Sequence, residues 1–355
     1  MKKILFISAF VSFLANAQTP SGYYNSANGL SGASLKTALS TIITNGHQDK
    51  GYSGLWTGYK TTDIDKNYEN DGSILDIYSE KPVGTDPYKY TPGTNQCGTY
   101  SVEGNCYNRE HIVPQSLFNE ASPMVSDIHF IRATDGKVNG MRSNYPFGKV
   151  GTATFTSKNG SKLGNSVSSG YSGTVFEPID EFKGDIARML FYFATRYETQ
   201  VDNYSFPMFN GTENQVFKLP FLQMLVDWHN SDPVSQFEID RNDNAYIYQG
   251  NRNPYIDHPE FVQQIWSQAL STTNFETLAT ISIYPNPTND RRINIDSEME
   301  LDEIQLININ GQLMQQIQKP TRTNNTYTIE NLPSGFYFIK ISSENQSITK
   351  KLIVN

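Results

Sequence analysis

The spacing of apolar residues changes at Ser271-Thr272-Thr273-Asn274, and that change limits the chain to two unlike folding units. After it, short apolar segments alternate with turn residues. Ile281–Tyr284, Ile293–Ile295, Ile304–Ile309, Leu313–Ile317, Thr326–Ile329, Gly335–Ile341 and Ser347–Val354 read as strands, with Asn310-Gly311 as a hairpin turn. About seven short strands in about 75 residues, with no helical stretch among them, predict a small all-β sandwich over 274–355. Before the change, helical spacing dominates. Leu35–Ile43, which ends at Asn45-Gly46, predicts one helix, and Asp185–Phe193, opened by Gly184 and Asp185, predicts a stronger one. Phe217–His229 and Pro259–Leu270 predict two more, while Gly72–Tyr78 and Ala153–Phe155 read as strand-like pieces. Residues 18–273 are therefore expected to form one α+β domain with long loops, large enough to bury its own core.

The first residues carry a different signal. Lys2 and Lys3 precede the apolar stretch Ile4–Leu14, and Ala15-Asn16-Ala17 has the form of a cleavage site before Gln18. These three parts in this order predict a secretory signal over 1–17. No later apolar stretch approaches the roughly 20 residues of a membrane span. An exported chain meets an oxidising compartment, where Cys97 and Cys106, the two cysteines of the sequence, are expected to form a disulfide. Metal binding by the pair is disfavoured, because two thiolates at this spacing lack partner ligands. Chain entropy assigns such a bridge roughly 2.5–3 kcal/mol, and its place just before residue 110 suits it to bracing that segment. The net charge is −8; Lys2 and Lys3 carry +2 and the chain from Ala279 carries −1 (7 basic, 8 acidic), so the part between carries −9. That balance opposes diffuse attraction to polyanions, so a polyanionic substrate would need a local basic cleft or metal screening.

Four polar clusters stand out before the change in spacing: Arg109-Glu110-His111, Asp127-Ile128-His129, the run Asn139–Asn144, and Gln249–Pro259. In Asn108-Arg109-Glu110-His111-Ile112-Val113-Pro114 an acid sits beside a histidine at the edge of an apolar segment. Strand neighbours point to opposite faces, so the two can share a site only at a bent strand end or past its edge. A histidine near its ordinary pKa is the natural base for activating water. A carboxylate and an amide oxygen are hard ligands that suit Mg²⁺, whereas a zinc site would want more His or Cys and no His-Glu-x-x-His is present. A hydrated Mg²⁺ beside a histidine fits phosphodiester hydrolysis. Each piece also has a plain structural reading. Asp127-x-His129 would share one strand face as a structural support, Asn139-Gly140 is a common turn, and 251–259 would serve as a capped loop before a helix.

In their order, these motifs resemble the bacterial secreted endonuclease I family, a branch of the ββα-metal (His-Me finger) nucleases. The likeness runs through Arg109–Pro114, Asp127-Ile128-His129, Lys137-Val138-Asn139-Gly140, Arg142-Ser143-Asn144-Tyr145, Lys183–Arg188 with Phe191-Tyr192, Trp228-His229 with Asp232-Pro233-Val234, and Gln249–Pro259. It covers roughly residues 30 to 270. The resemblance implies an α+β nuclease domain with a ββα-metal finger. It implies that His111 is the general base and that Glu110 and Asn139 hold the metal, with Mg²⁺ expected and Mn²⁺ or Ca²⁺ compatible with the same ligands. It further implies a largely non-specific endonuclease acting on DNA and often RNA, leaving 5′-phosphate ends. Phe130 and Met141 stand where the family usually has Asn and an acid, and neither is a matched ligand. Residues 115–126 are too short for the insert that carries the phosphate-binding arginine in some members. Arg109, Asp127, His129, Arg142, Asn144, Arg188 and Arg252 remain as candidates for gripping phosphate or supporting the site.

The C-terminal segment resembles the sorting domains of proteins exported by the type IX route, through Tyr284-Pro285-Asn286-Pro287, the strand start Gly335-Phe336-Tyr337 and Lys350-Lys351. Its plain alternative is a generic β-sandwich adhesion or carbohydrate-binding module. The expected protein is a secreted or surface-attached monomer with nucleic acid as partner and the type IX machinery as its exporter. The competing functional readings are a catalytically inactive surface nucleic-acid-binding protein and a phosphoesterase for small phosphodiesters.

Overall fold

The structure, a computed structural model, describes residues 19–355 apart from positions 99, 169, 280, 344 and 345, and leaves aside the side chains of 271–279 and 346. The signal expected over 1–17 lies outside the described residues. The chain forms two compact units, one reaching to Trp266 and one covering Ser267–Asn355. The observed division lies inside a helix, a few residues before the 273/274 boundary expected from the sequence.

In the first unit the helices are α1 (Gly32–Thr44), α2 (Leu55–Thr62), α3 (Gly136–Arg142), α4 (Lys183–Arg196), α5 (Leu219–Ser231), α6 (Gln236–Gln249), the short α7 (Pro254–Asp257) and α8, which runs Glu260–Ala279. Strands β1 (Tyr107–His111) and β2 (Ile131–Asp135) pair with each other, and β3 (Val150–Thr156), β4 (Lys162–Ser166) and β5 (Thr174–Glu177) form a separate antiparallel sheet. Helix α4 is the centre of the core: every residue from Gly184 to Arg196 is buried. The apolar spacing that predicts this helix supplies only one of its faces. The other is covered by aromatic packing, with the Phe191 ring 4.6 Å from Trp266, and by charge pairing. Arg188 binds Glu238 through Nε (2.6 Å) and Nη2 (2.8 Å). Arg132 on β2 reaches Asp63 at 2.9 Å, and Arg241 on α6 meets the same carboxylate at 3.2 Å.

Two features depart from the sequence reading. Gly72–Tyr78 is not a strand, although Ile74, Leu75, Ile77 and Tyr78 are all buried. Aspartates capture its backbone locally: Asp71 accepts from Ser73 N–H (2.9 Å) and Asp76 from Tyr78 N–H (2.8 Å), which competes with a sheet ladder. Helix α6 carries no clear apolar stripe because its inward face includes Arg241, Asn242 and Gln249. Its start was nonetheless written in Ser235-x-x-Glu238, which forms a capping box.

The second unit contains the seven expected strands: β6 (Ser282–Tyr284), β7 (Ile293–Asp296), β8 (Glu303–Asn308), β9 (Leu313–Gln318), β10 (Thr326–Ile329), β11 (Gly335–Ser343) and β12 (Gln346–Val354). They form two antiparallel sheets, ordered β12-β11-β8-β9 and β10-β7-β6, which share one core. Alternation sets the faces. Along β11, Tyr337, Ile339 and Ile341 point into the core while Phe336 and Phe338 stay exposed. The turn between β8 and β9 uses Gly311 at φ 79°, a left-handed conformation that suits glycine. Among the described residues no helix is long and apolar enough to cross a membrane.

Candidate active site

Strands β1 and β2 run antiparallel with Glu110 opposite Arg132 and His111 opposite Ile131, and α3 follows β2 without a linker. Asp135 makes that junction. One of its oxygens accepts from Val138 N–H at 2.8 Å and caps the helix; the other accepts from Tyr90 Oη at 2.6 Å and Gly104 N–H at 2.8 Å. Asn139 and Arg142, three residues apart, share one face of α3. Arg142 fastens that face to β1: Nη1 donates to the His111 carbonyl at 2.7 Å and lies 3.2 Å from Glu110 Oε1, and Nη2 donates to the Ile112 carbonyl.

The strand ends at His111 and the chain bends at Ile112 and Val113. This resolves how an adjacent acid and histidine meet: both line one cleft of about 140 Å³ at the strand end, together with Arg109, Asn139, Arg142, Asn144 and Tyr52. Glu110 is buried, and Tyr78 Oη donates to its Oε1 at 2.9 Å. Burial pushes its carboxyl up to about 7, against the lowering influence of the Arg142 charge and the Tyr78 hydrogen bond. Among the described residues, neither Glu110 Oε2 nor the side-chain amide of Asn139 has a hydrogen-bond partner.

His111 Nε2 lies 3.2 Å from the Val125 carbonyl. A carbonyl can only accept, so Nε2 carries the proton and the neutral ring keeps its lone pair on Nδ1. Burial lowers the imidazole to about 4; the Arg109 and Arg142 charges act in the same direction, and the Val125 carbonyl opposes them. The ring is therefore neutral and able to accept a proton throughout the physiological range.

The remaining sequence candidates separate in space. Arg109 lies at the cleft, its guanidinium 3.4 Å from the Tyr52 ring centre and 4.4 Å from that of Trp56, with Nη1 donating to the Tyr52 carbonyl at 3.0 Å. Asn144 lines the cleft and reaches Ser116 Oγ at 3.3 Å. Asp127 and His129 sit in the loop before β2 rather than on a strand, and they face the core. Asp127 accepts from Tyr192 and Tyr197 hydroxyls and Gln249 Nε2, each at 2.8 Å, and His129 Nε2 meets the Asn251 carbonyl at 2.9 Å. These contacts hold the loop two residues after Val125, whose carbonyl fixes the His111 tautomer. Arg188 is committed to Glu238, and Arg252 binds Asp257 at 2.7 Å and Asp243 at 2.6 Å; neither lines the cleft. Tyr78 and the Val125 carbonyl were not foreseen. A backbone acceptor leaves no mark in the residue types, and Tyr78 lies 32 positions from the carboxylate it touches.

The Cys97–Cys106 disulfide is formed, with Cα atoms 5.7 Å apart. It closes directly before β1, where Cys97 N–H donates to the Tyr107 carbonyl at 3.1 Å. Its loop also covers α3: a Cβ on Gly140 would lie 2.0 Å from Tyr100 Oη, so a larger residue here would have to displace that partly exposed ring. The bridge thus braces both the strand bearing Glu110 and the helix bearing Asn139.

Residues 31–260 match the family described as Endonuclease I, and residues 282–355 match the one described as Secretion system C-terminal sorting domain. An extracellular ribonuclease of Bacillus amyloliquefaciens is 35% identical over 265 residues, covering 73% of this chain and 82% of that protein. An extracellular ribonuclease of Bacillus subtilis is 34% identical over 251 residues, covering 69% and 78%. An Endonuclease-1 of Buchnera aphidicola subsp. Baizongia pistaciae is 25% identical over 193 residues, covering 47% and 70%.

Proposed function

The chain belongs to the endonuclease I family and is a nuclease acting on phosphodiester bonds, exported to the medium or the cell surface; from that premise we propose that it is a Mg²⁺-dependent, largely non-specific endonuclease whose β1-β2-α3 unit works as a ββα-metal finger on DNA and RNA. The observation that carries this reading is the shared cleft of His111, Glu110 and Asn139. The donor set fits a hard divalent cation: Glu110 Oε2 and the Asn139 amide are unpartnered oxygen-bearing groups facing the same space. When bound there, Mg²⁺ would stabilise negative charge developing on the phosphate and its leaving oxygen.

The chain's own residues supply the rest. His111 takes a proton from the attacking water at Nδ1, because Nε2 is held by Val125. Arg142 balances the Glu110 charge and fixes the distance between β1 and α3. Arg109, stacked between Tyr52 and Trp56, grips a substrate phosphate without reading a base, which fits low sequence preference. The names of the two Bacillus relatives support RNA as a substrate beside DNA.

The deciding experiment incubates the secreted protein with plasmid DNA, RNA and a small phosphodiester, in Mg²⁺ and in chelator. Cleavage of plasmid and RNA in Mg²⁺ alone is expected. An uncut plasmid in Mg²⁺ rejects the reading, and turnover of the small diester alone makes the protein a phosphoesterase. Arg109→Ala is expected to lower kcat/KM on DNA by about 10- to 100-fold, the scale of one charged hydrogen bond. Arg109→Lys should recover little, since an ammonium does not stack in the same planar slot. A wild-type kcat/KM in Arg109→Ala would release this residue from the phosphate.

A further inference from the structure

The connection between α2 and β1 carries a second acidic centre that takes no part in the cleft. Asp65 and Glu80 are each 1% exposed, and Glu69 is half-buried beside them. Ligand-capable oxygens of the three lie within 4.8 Å of one another. Asp65 Oδ2, Glu69 Oε2 and Glu80 Oε1 are all buried and without a hydrogen-bond partner. Among the described residues, no lysine or arginine forms an ion pair with any of them.

The surroundings hold these groups in place. Asp65 Oδ1 accepts from Asn67 and Tyr68 N–H at 3.1 and 3.0 Å, which leaves Oδ2 turned to its neighbours. Glu80 is fixed at both backbone atoms: its N–H donates to the Asp76 carbonyl at 2.8 Å and its carbonyl accepts from Asn159 Nδ2 at 3.3 Å. Buried, unpaired carboxylates in contact are unfavourable by themselves, and each removed hydration shell needs a replacement. Burial, together with the charges of Asp86, Glu69 and Asp65, pushes Glu80 up to about 9.

We propose that Asp65, Glu69 and Glu80 form a structural calcium site, separate from the catalytic metal site. Calcium is favoured over magnesium because three protein carboxylates from irregular backbone suit its variable geometry, whereas magnesium keeps most of its waters and uses one or two carboxylates. Oxygens within 4.8 Å of one another are close enough to share one ion at calcium–oxygen distances of about 2.3–2.6 Å. The ion would tie the 65–69 turn to the segment 76–80, and that segment delivers Tyr78 to Glu110 at 2.9 Å. Calcium in the extracellular medium would thus stabilise the frame of the active site without entering the reaction.

Calcium titrations on the chelator-treated, full-length secreted chain test this, followed by thermal melting and calorimetric stoichiometry. At a hundredfold excess over Kd, wild type is expected to gain about 5–10 °C in Tm. Asn139→Ala, which alters only the catalytic ligands, should keep that gain; Glu80→Gln and Asp65→Asn should lose it together with one bound ion. Metal-free Glu80→Gln should melt close to metal-free wild type, because the amide replaces a carboxyl that already holds its proton in the empty site. The absence of a calcium shift in wild type, a full shift in Glu80→Gln, or its loss in Asn139→Ala would each overturn the proposal. None of these outcomes bears on plasmid cleavage in Mg²⁺, so the two readings stand or fall apart.

Discussion

His111→Ala is expected to slow DNA cleavage by about 10²–10⁴-fold, the share ordinarily carried by a positioned general base. The loss should fall on kcat, with KM for DNA little changed, because the imidazole acts on the water and holds no phosphate. The argument rests on one nitrogen: Val125 occupies Nε2, so Nδ1 is the basic atom, and alanine leaves nothing in its place. Burial keeps the ring near 4, so protonation of His111 should weaken the rate only as pH falls toward 4. Glu110 behaves differently. With its carboxyl near 7 in the metal-free protein, a proton must leave before a cation binds, so metal affinity should drop by up to about tenfold per pH unit below 7. Rates measured at saturating Mg²⁺ separate the two effects. A loss of under about tenfold in purified His111→Ala would remove this residue from the chemistry.

Arg142→Met is expected to cost about 3–5 kcal/mol, a fall of roughly 6–20 °C in Tm for a domain of this size. Removing the guanidinium leaves Glu110 buried beside a thioether and takes the donors from the His111 and Ile112 carbonyls. The carboxyl would respond by holding its proton to still higher pH, so metal affinity and activity should fall as well. A second change distinguishes charge from packing. Adding Glu110→Gln to Arg142→Met should change stability little at pH 7, where the carboxyl already holds its proton, and should recover stability only at alkaline pH, while activity stays absent. Thermal melting of the four proteins of this cycle checks both statements. An Arg142→Met protein within about 1 kcal/mol of wild type would show that the pair contributes little.

How far the residues could be read in advance depends on how local the information was. The strands of the second unit follow period-two alternation between turn residues, and all seven formed where that pattern lay. Glu110 and His111 are adjacent, so their association needed only the bend at Ile112, which Pro114 hints at. The cluster holding Asn139 offered a second hard ligand, but its role came from the resemblance, since nothing in the spacing shows that α3 folds back on β1. Arg109, Arg142, Arg188 and Arg252 were equivalent on paper. Only the fold separates them, by giving Arg188 a carboxylate partner from a distant position, Glu238, and Arg252 the nearby Asp243 and Asp257. The apolar run at Gly72–Tyr78 misled for the opposite reason: it is buried, but Asp71 and Asp76 spend its backbone on local turns.

The bond between His111 Nε2 and the Val125 carbonyl has a consequence for how protons travel. An imidazole with two open nitrogens can pass a proton through, in at one and out at the other. Here the rear nitrogen faces a carbonyl, which cannot take a proton onward. A proton gained at Nδ1 must therefore leave by the route it came, into the cleft. With His111 as the proposed base, each turnover would end only when water or the departing product reaches that same nitrogen again, so clearance of the cleft and recovery of the base would be one event.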